Sequence, residues 1–444
     1  MVNPMTILVP VGVAKMEEKT KWTIYLAFLV AGFATGIGTM GLFPQFWLQY
    51  GMTGLSVYLL FTVFFTCLAI FEAESTQKTA YHFTELYTKL TKTSGMIIAI
   101  LLASIVFLSY YTANTALILL SPFLGTGTVG RLIAKLILLA ITFIIITRAK
   151  EKTFLIMAGG SALFIIFAMI TAVAFKTKIP TENFYLDLAK GMVFAKHPIS
   201  LTLLRDAAIR ALYGVGLGFA FYLMIGSFMG RNFNSKVIIG TGVAIQVFIG
   251  IISTFTVIYS VAPGTPGLLL TYATGGEEGS IKLMEALPHI LDNYQILLLM
   301  IAISLFFAGL TSIVPTAEIG LQITQMLTGL SRGKAATYFI GFVALLGVVD
   351  SHPQIADMML QAINIFIFIG AIFEVYPLMT KLKDQGTSVE YAAAMVGATL
   401  FALLGAYTMI SEVRMGSYRV VSTVIALVLL TIGVAIREFV KASG

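Results

Sequence analysis

Charged side chains are scarce in this sequence of 444 residues, since Asp, Glu, Lys and Arg together make up 11% of it. Soluble domains carry about 25% charged residues, so the shortage excludes an ordinary soluble protein. Hydrophobic residues make up 58% of the chain. Apolar runs of about 20 residues, long enough to cross a bilayer, recur along nearly its whole length. The composition therefore predicts a multi-pass protein embedded in a lipid bilayer.

Cysteine and histidine are also rare. The single cysteine, Cys67, excludes a disulfide bond within the chain. The four histidines are scattered without the spacing of a metal site. A glycine pattern found in nucleotide-binding loops occurs at residues 125–130, but it lies between two apolar spans with no preceding strand. The sequence therefore predicts neither a structural metal nor an organic cofactor.

Apolar segments divide the chain into about twelve predicted spans. They lie near residues 22–45, 53–76, 95–121, 130–147, 153–175, 201–230, 236–262, 293–328, 334–349, 355–380, 388–410 and 418–440. The short loops and the terminal segments on one side together hold most of the Lys and Arg residues, whereas the other side is mixed or acidic. Such an asymmetry marks the cytoplasmic side, so the net charge of +7 indicates topology rather than a nucleic-acid partner.

This topology places both termini in the cytoplasm and the protein in the plasma membrane. Residues 1–21 are predicted to form a cytoplasmic tail, and residues 22–444 to form one transmembrane domain. Two of the predicted outer connections are long, at residues 176–200 and 263–292. The second suggests a re-entrant lid of two short helices around a glycine hinge, and a plain surface loop is the alternative.

Small residues interrupt two of the spans near their middle. The first interruption is Ala31–Gly38, and the second is Tyr213–Phe219. Each glycine inside a helix costs roughly 1 kcal/mol relative to alanine, so both clusters predict helices that break. Backbone groups freed at membrane depth are tolerated only where they line a cavity or bind something. Both breaks are therefore predicted to face one central site for an ion and a small solute.

The broken spans are the first and the sixth, which is the spacing expected for an inverted repeat of five helices. Repeat one would cover about residues 22–175, repeat two about 201–380, and two extra helices about 388–440. The predicted fold class is therefore an all-α membrane protein with a 5+5 inverted repeat. In transporters built this way, solute and ion bind near the midplane at the discontinuous helices.

Three segments resemble the sodium:neurotransmitter symporter family, in particular its prokaryotic amino-acid transporters with the leucine-transporter fold. The first span contains Ala31-Gly32-x-Ala34-x-Gly36-x-Gly38 followed by Phe43-Pro44, and the sixth contains Gly216-Leu217-Gly218-Phe219. The eighth contains Phe306-Phe307-Ala308-Gly309-Leu310-Thr311-Ser312, which is similar to the eighth-helix motif of the family. Span order and loop length are similar over about residues 20–440.

The resemblance implies a sodium site, with sodium as the one metal ion expected. Carbonyl oxygens from the first span and from the eighth would join two adjacent hydroxyls, and hard cations take such oxygen ligands. The implied ligands are Gly32, Thr35, Ala308, Thr311 and Ser312. The alternative is that both hydroxyls only bond back to their own helix, as Ser and Thr often do.

A further sodium site of the family is degraded in this sequence. The aligned positions hold Thr39, Gly214 and Gln246, and Gly214 has no hydroxyl. The position that bears an acidic residue in chloride-independent members holds Gly250. The resemblance therefore predicts one sodium ion per cycle and no chloride requirement.

The solute would lie at the two breaks, where helix N-termini and free amides favour a carboxylate. The candidate solute residues are Ala34, Gly36, Gly38, Tyr111, Tyr213, Gly216, Phe219, Ser312 and Thr316. In the family, the sodium ion of the site that is degraded here pairs with the carboxylate of the solute, so this sequence is predicted to lack that cation. A solute of different charge therefore stays open at this point.

Gating and support residues are also implied by the resemblance. The family arginine of the outer gate is replaced by Leu42. Arg210 is predicted to take over that role with Asp357 as its partner, and the alternative is that Arg210 snorkels to the headgroups. Glu72 aligns with a glutamate that supports the breaks, so it is expected to accept hydrogen bonds from freed backbone amides.

The predicted function is a sodium-coupled symporter that moves an amino acid or a related amine by alternating access. The alternative is a sodium-independent carrier of the same fold, such as a uniporter, an exchanger or a proton-coupled transporter. A membrane enzyme is not expected, because ionisable residues within the spans are dispersed. The expected partners are the solute, Na⁺ and lipid, and an oligomer is possible but not required.

Overall fold

The computed structural model describes residues 14–87, 89, 94–125, 127–149, 152–181, 183–380, 387–416 and 419–442. All regular structure in these ranges is helical. In chain order the helices are α1 (Ala14–Ala34), α2 (Ile37–Thr79), α3 (Phe83–Leu86), α4 (Ser94–Leu124), α5 (Thr128–Ile144), α6 (Thr153–Lys178), α7 (Asn183–Phe194), α8 (Leu201–Val215), α9 (Phe221–Phe228), α10 (Ser235–Val261), α11 (Pro266–Thr274), α12 (Gly276–Ile290), α13 (Gln295–Thr328), α14 (Arg332–Asp350), α15 (Pro353–Met379), α16 (Ser388–Met415) and α17 (Arg419–Ala442).

Nine helices in the described part of the chain are long and apolar enough to cross a membrane: α2, α4, α5, α6, α10, α13, α14, α15 and α16. The other predicted spans differ because they are interrupted or short. The first span is divided between α1 and the start of α2, the sixth between α8 and α9, and α17 has a shorter apolar part. The structure confirms an all-α, multi-pass membrane protein.

The N-terminal boundary differs from the predicted one. Residues 1–13 of the predicted tail lie outside the described residues. Helix α1 begins at Ala14, before the expected start of the first span at Trp22. Helix formers such as Glu18 and Lys19 extend the helix beyond its apolar part.

Helix α2 contains the end of the first span and the whole of the second, joined by a kink at Gly51. Gly51 has φ 57° and ψ −149°, a backbone conformation that favours glycine. The Met52 amide donates to the Ala195 carbonyl over 2.9 Å, and a β-carbon at position 51 would overlap that same carbonyl oxygen. The chain therefore changes direction here without a loop, because glycine permits both the conformation and the close approach.

Both predicted breaks are present. Helix α1 ends at Ala34, residues Thr35 and Gly36 are not helical, and α2 begins at Ile37. The second break separates α8 from α9, and both of its glycines have positive φ, 92° at Gly216 and 101° at Gly218. The Thr35 and Gly216 amides still donate to the Ala31 and Leu212 carbonyls of the preceding helices, over 2.9 and 2.7 Å. The Gly218 amide instead donates to Glu374 of α15 over 2.6 Å, so the second break makes a contact outside its own helices.

The two broken segments lie in the middle of the helix bundle. Helix α1 packs against α6, α10 and α13, and α2 packs against α8, α9 and α10. Helix α13 is buried without interruption from Ala308 to Leu321. This burial places the Thr311–Ser312 pair against the broken first span.

The connection at residues 263–292 contains the two short helices predicted for it. They are α11 and α12, and Gly275 lies between them. Leu269 is fully buried, and the Gln45 amide donates to the Tyr272 carbonyl over 2.6 Å, so α11 is tied to α2. The predicted lid role of this segment stays a prediction.

A buried ion pair joins two spans that the sequence analysis did not connect. Lys135 Nζ on α5 lies 2.5 Å from Asp350 Oδ1 on α14, and it donates to Ser109 Oγ on α4 over 2.9 Å. Neither charged side chain is exposed to solvent. A buried pair must be well hydrogen-bonded to offset its desolvation, and Ser109 provides part of that bonding.

Replacing Gly51 by alanine should destabilise the protein. The new β-carbon would meet the Ala195 carbonyl, and the backbone would be held in a region costing alanine on the order of 1–3 kcal/mol. We expect a lower thermal unfolding midpoint for the purified protein. Gly191→Ala is the control, because a β-carbon there meets nothing within 4 Å. Equal midpoints for the two variants would contradict this account of the kink.

Candidate ion and solute site

The Thr311 hydroxyl on α13 lies among three carbonyl oxygens. Its Oγ1 is 3.0 Å from the Gly32 carbonyl oxygen on α1, 2.9 Å from that of Phe307, and 3.0 Å from that of Ala308. A hydroxyl has one hydrogen, so it can donate fully to one of these oxygens at a time. The Phe307 and Ala308 oxygens also accept from backbone amides of α13. The Gly32 oxygen lies in the last turn of α1, so it has no amide partner in its own helix.

Ser312 continues this cluster toward the break. Its Oγ is 3.0 Å from the Phe33 carbonyl oxygen and 3.4 Å from that of Ala308. Phe33 belongs to the last turn of α1, where carbonyls have no helical partner. Each hydroxyl therefore contacts carbonyls of both α1 and its own helix. This combines the predicted ion-site arrangement with the alternative, in which the hydroxyls only bond back to α13.

The structure brings together four of the five predicted sodium ligands: Gly32, Ala308, Thr311 and Ser312. Thr35 lies fully buried in the break, its hydroxyl donates back to the Ala31 carbonyl, and no hydrogen bond joins it to Thr311 or Ser312 in the described residues. The carbonyl of Phe33 also joins the cluster, although the sequence analysis did not name it. The set consists of neutral oxygens buried from solvent.

The second break is held by Glu374 of α15. Its Oε2 accepts a hydrogen bond from the Gly218 amide over 2.6 Å, and its Oε1 accepts one from the Ala220 amide. The Tyr222 hydroxyl also donates to the Val215 carbonyl across the break. One carboxylate therefore satisfies two amides that the broken helix leaves free.

Glu72 does not have the hydrogen bonds expected for it. Its side chain is fully buried, and neither carboxylate oxygen has a hydrogen-bond partner in the described residues. Glu374 makes those bonds instead. A charged carboxylate without a partner is costly to bury, which distinguishes Glu72 from the bonded Glu374.

A cavity of about 680 Å³ extends from the first break to the end of the bundle predicted to be outer. Eight of the nine predicted solute residues line it: Ala34, Gly36, Gly38, Tyr111, Tyr213, Gly216, Phe219 and Ser312. Thr316 is not among the lining residues. It is fully buried, and its hydroxyl donates to the Ser312 carbonyl of its own helix over 2.8 Å.

Aromatic side chains form the wall of the cavity beside the first break. The Phe107 ring stacks on Tyr111 with centroids 4.8 Å apart and lies 4.8 Å from the Phe219 ring. A β-carbon on Gly36 would overlap the Tyr111 hydroxyl. The hydroxyl therefore lies directly against the backbone of the break.

The predicted outer pair is not formed. Arg210 and Asp357 both line the cavity, but no hydrogen bond or ion pair joins them in the described part of the chain. Asp357 Oδ1 instead accepts from Gln361 Nε2 over 3.2 Å, and Asp206 pairs with Arg205 over 2.7 Å. The gating role of the two groups stays a prediction.

A polar ladder on α15 was missed by the sequence analysis. The Tyr213 hydroxyl donates to Asn364 Oδ1 over 3.0 Å, Asn364 Nδ2 donates to Gln361 Oε1 over 3.1 Å, and Gln361 donates to Asp357. The spacing of 357, 361 and 364 places these three on one helix face. That periodicity was the signal available in the sequence.

No protein-family model and no curated protein matches this chain. Among solved structures, the crystal structure of MhsT in complex with L-phenylalanine is similar, with a TM-score of 0.66 and 16% sequence identity. The similarity covers 93% of this chain and 98% of that one. At this identity the similarity shows the fold alone, which is the leucine-transporter fold predicted above.

Replacing Glu374 by glutamine should destabilise the second break, whereas Glu72→Gln should have little effect. Glutamine leaves one acceptor for two amides, and a hydrogen bond to a charged group contributes about 2 kcal/mol. We expect a lower thermal unfolding midpoint for the Glu374 variant alone. A larger drop in the thermal unfolding midpoint for Glu72→Gln than for Glu374→Gln would contradict the assignment of the support role to Glu374.

Proposed function

We propose that this protein is a sodium-coupled symporter of a small solute, an amino acid or a related amine, that works by alternating access. The observation that carries the proposal is the oxygen cluster around Thr311 and Ser312, next to a broken helix and a cavity. Sodium is a hard cation that takes neutral and anionic oxygens, and the cluster offers such oxygens. The fold shared with MhsT, which was solved with L-phenylalanine, supports a solute of this class.

Ser312 connects the ion to the solute in this proposal. Its hydroxyl reaches the Phe33 carbonyl of α1, and the same residue lines the cavity beside Gly36. An ion bound there would fix the first break in the shape that the solute contacts. Binding of either one would then favour binding of the other, which is the thermodynamic requirement for coupling.

The break between α1 and α2 also provides the flexible joint of the proposed cycle. Two non-helical residues, Thr35 and Gly36, separate the helices, so α1 can change its angle without bending an intact helix. The ion would join α1 to α13 through Gly32 and Thr311.

The membrane potential would drive this cycle if one positive charge accompanies each solute molecule. A potential of 100 mV then contributes about 2.3 kcal/mol, which corresponds to roughly 50-fold accumulation of the solute.

A sodium-independent carrier of the same fold is the second candidate. The observation that favours it is that the Thr311 and Ser312 hydroxyls already donate to α1 carbonyls at 3.0 Å each. These bonds join α1 to α13 without an ion. In that case the solute alone would drive the change of conformation, as in a uniporter or an exchanger.

The proposed location is the plasma membrane with both termini in the cytoplasm, supported by the Lys and Arg bias of the short loops. Na⁺, the solute and lipid are the proposed partners, and neither an organic cofactor nor a second copy of the chain is part of the proposal. Its chemistry is binding and release, without an enzymatic step.

Sodium should stabilise the wild-type protein, and Thr311→Val should abolish this effect. A ligand at 100 times its Kd stabilises the folded state by about 2.7 kcal/mol, and valine removes one ligand while keeping the shape. We expect the thermal unfolding midpoint to rise in NaCl relative to choline chloride at equal ionic strength.

Thr324→Val is the matched control for this experiment. Thr324 is buried on the same helix, and its hydroxyl donates only to the Gly320 carbonyl of that helix. Its sodium response should equal that of the wild type. A wild-type protein without a sodium response would reject the coupling and leave the sodium-independent carrier.

A further inference from the structure

The Gln246 side chain on α10 fills the space between α2 and α8 at the side of the central cavity. It is almost fully buried, its Oε1 accepts from the Tyr58 hydroxyl over 3.1 Å, and its Nε2 donates to Thr39 Oγ1 over 3.2 Å. A β-carbon on Gly214 would lie 3.0 Å from Nε2, so any larger residue there would crowd the amide. All four residues line the cavity.

In this series of hydrogen bonds, each residue donates to the next one. The Thr39 hydroxyl donates to the Ala34 carbonyl over 3.2 Å, so its single hydrogen is engaged and its oxygen must accept from Gln246. The bonds therefore run from Tyr58 through Gln246 and Thr39 to Ala34. A cation placed between Thr39 and Gln246 would meet the N–H group that Gln246 directs at Thr39, which repels it.

The amide of Gln246 has a donor to spare. A side-chain amide carries two N–H bonds, and one of them is used by Thr39. The same side of the cavity holds the start of α2, where backbone amides such as that of Gly38 have no helical partner. Donors therefore gather where the solute would contact the first break.

We propose that Gln246 determines specificity by giving a neutral hydrogen bond to the carboxylate of the solute. The inference rests on the proposed function and names its substrate class: small carboxylate-bearing molecules, amino acids in particular, rather than simple amines. The carboxylate is bound by fixed dipoles and the helix N-terminus, without a cation of its own. The sodium ion at Thr311 is then the one ion of the site.

The test compares matched compounds that differ only at the carboxylate. Each of the common L-amino acids is titrated beside its methyl ester and its decarboxylated amine, in saturating sodium, with thermal stabilisation of the purified protein as the readout. For the wild type, the best acid should bind at least tenfold more tightly than its ester and its amine.

Gln246→Glu replaces the spare donor by an acceptor of nearly the same shape, so the preferred acid should lose at least tenfold in affinity while its amine does not. Gln246→Met keeps the volume without a donor, and it should lose the preference for acids without gaining one for amines. Gln295→Glu is the control, because it introduces the same charge at an exposed position at the start of α13. Its ligand profile should match the wild type.

A wild-type protein that no acid stabilises, or that binds esters and amines as well as acids, would overturn the inference. An unchanged acid-to-amine ratio in both Gln246 variants would do the same. The titration repeated in choline chloride separates this inference from the proposed coupling. Acid selectivity without a sodium effect rejects the coupling alone, and a sodium effect without acid selectivity rejects the role of Gln246 alone.

Discussion

Backbone groups freed inside a membrane must find partners, because no water is available there to satisfy them. The architecture of this protein depends on how that requirement is met at two places. At the first break, carbonyls of α1 face hydroxyls of α13, and at the second, amides between α8 and α9 face a carboxylate of α15. The helices that supply these partners surround the broken segments, so packing and polar satisfaction define the same centre.

The two breaks free different backbone groups: carbonyl acceptors at the first and amide donors at the second. This difference gives the two breaks different chemistry. At the second, the Glu374 carboxylate accepts from the Gly218 and Ala220 amides, so these freed donors are satisfied within the protein. At the first, the Gly32 and Phe33 carbonyls lie in the last turn of α1 without an amide partner in their own helix, so their oxygens are available to a hydroxyl of α13 or to a cation. Beside it, Gln246 presents a donor. An acceptor cluster and a donor cluster at one break can hold an ion and an anionic group without placing them in the same pocket.

Much of the fold could be predicted from local sequence, because apolar runs form membrane spans and glycine clusters break helices without help from distant residues. The Thr311–Ser312 pair was likewise recognisable within one short segment. The site was less predictable where the contacts of a side chain depend on helices that are far apart in the sequence. Glu72 and Glu374 are both acids in apolar spans, and only packing shows that Glu374 faces the freed amides. Thr316 resembles Ser312 in the sequence, but one further turn along α13 places it outside the cavity. Arg210 and Asp357 both line the cavity, but Asp357 bonds to Gln361 of its own helix, a contact that aligning two charged positions does not reveal.

The central claim is that the hydroxyls of α13 and the carbonyls of α1 form the cation site of this protein. Crystals soaked in thallium(I), a monovalent ion with a strong anomalous signal, would locate that site directly. The account predicts one anomalous peak, in contact with the Gly32 carbonyl and the Thr311 and Ser312 hydroxyls, and none beside Gln246. A peak between Thr39 and Gln246, or no peak near Thr311 at saturating thallium, would contradict it.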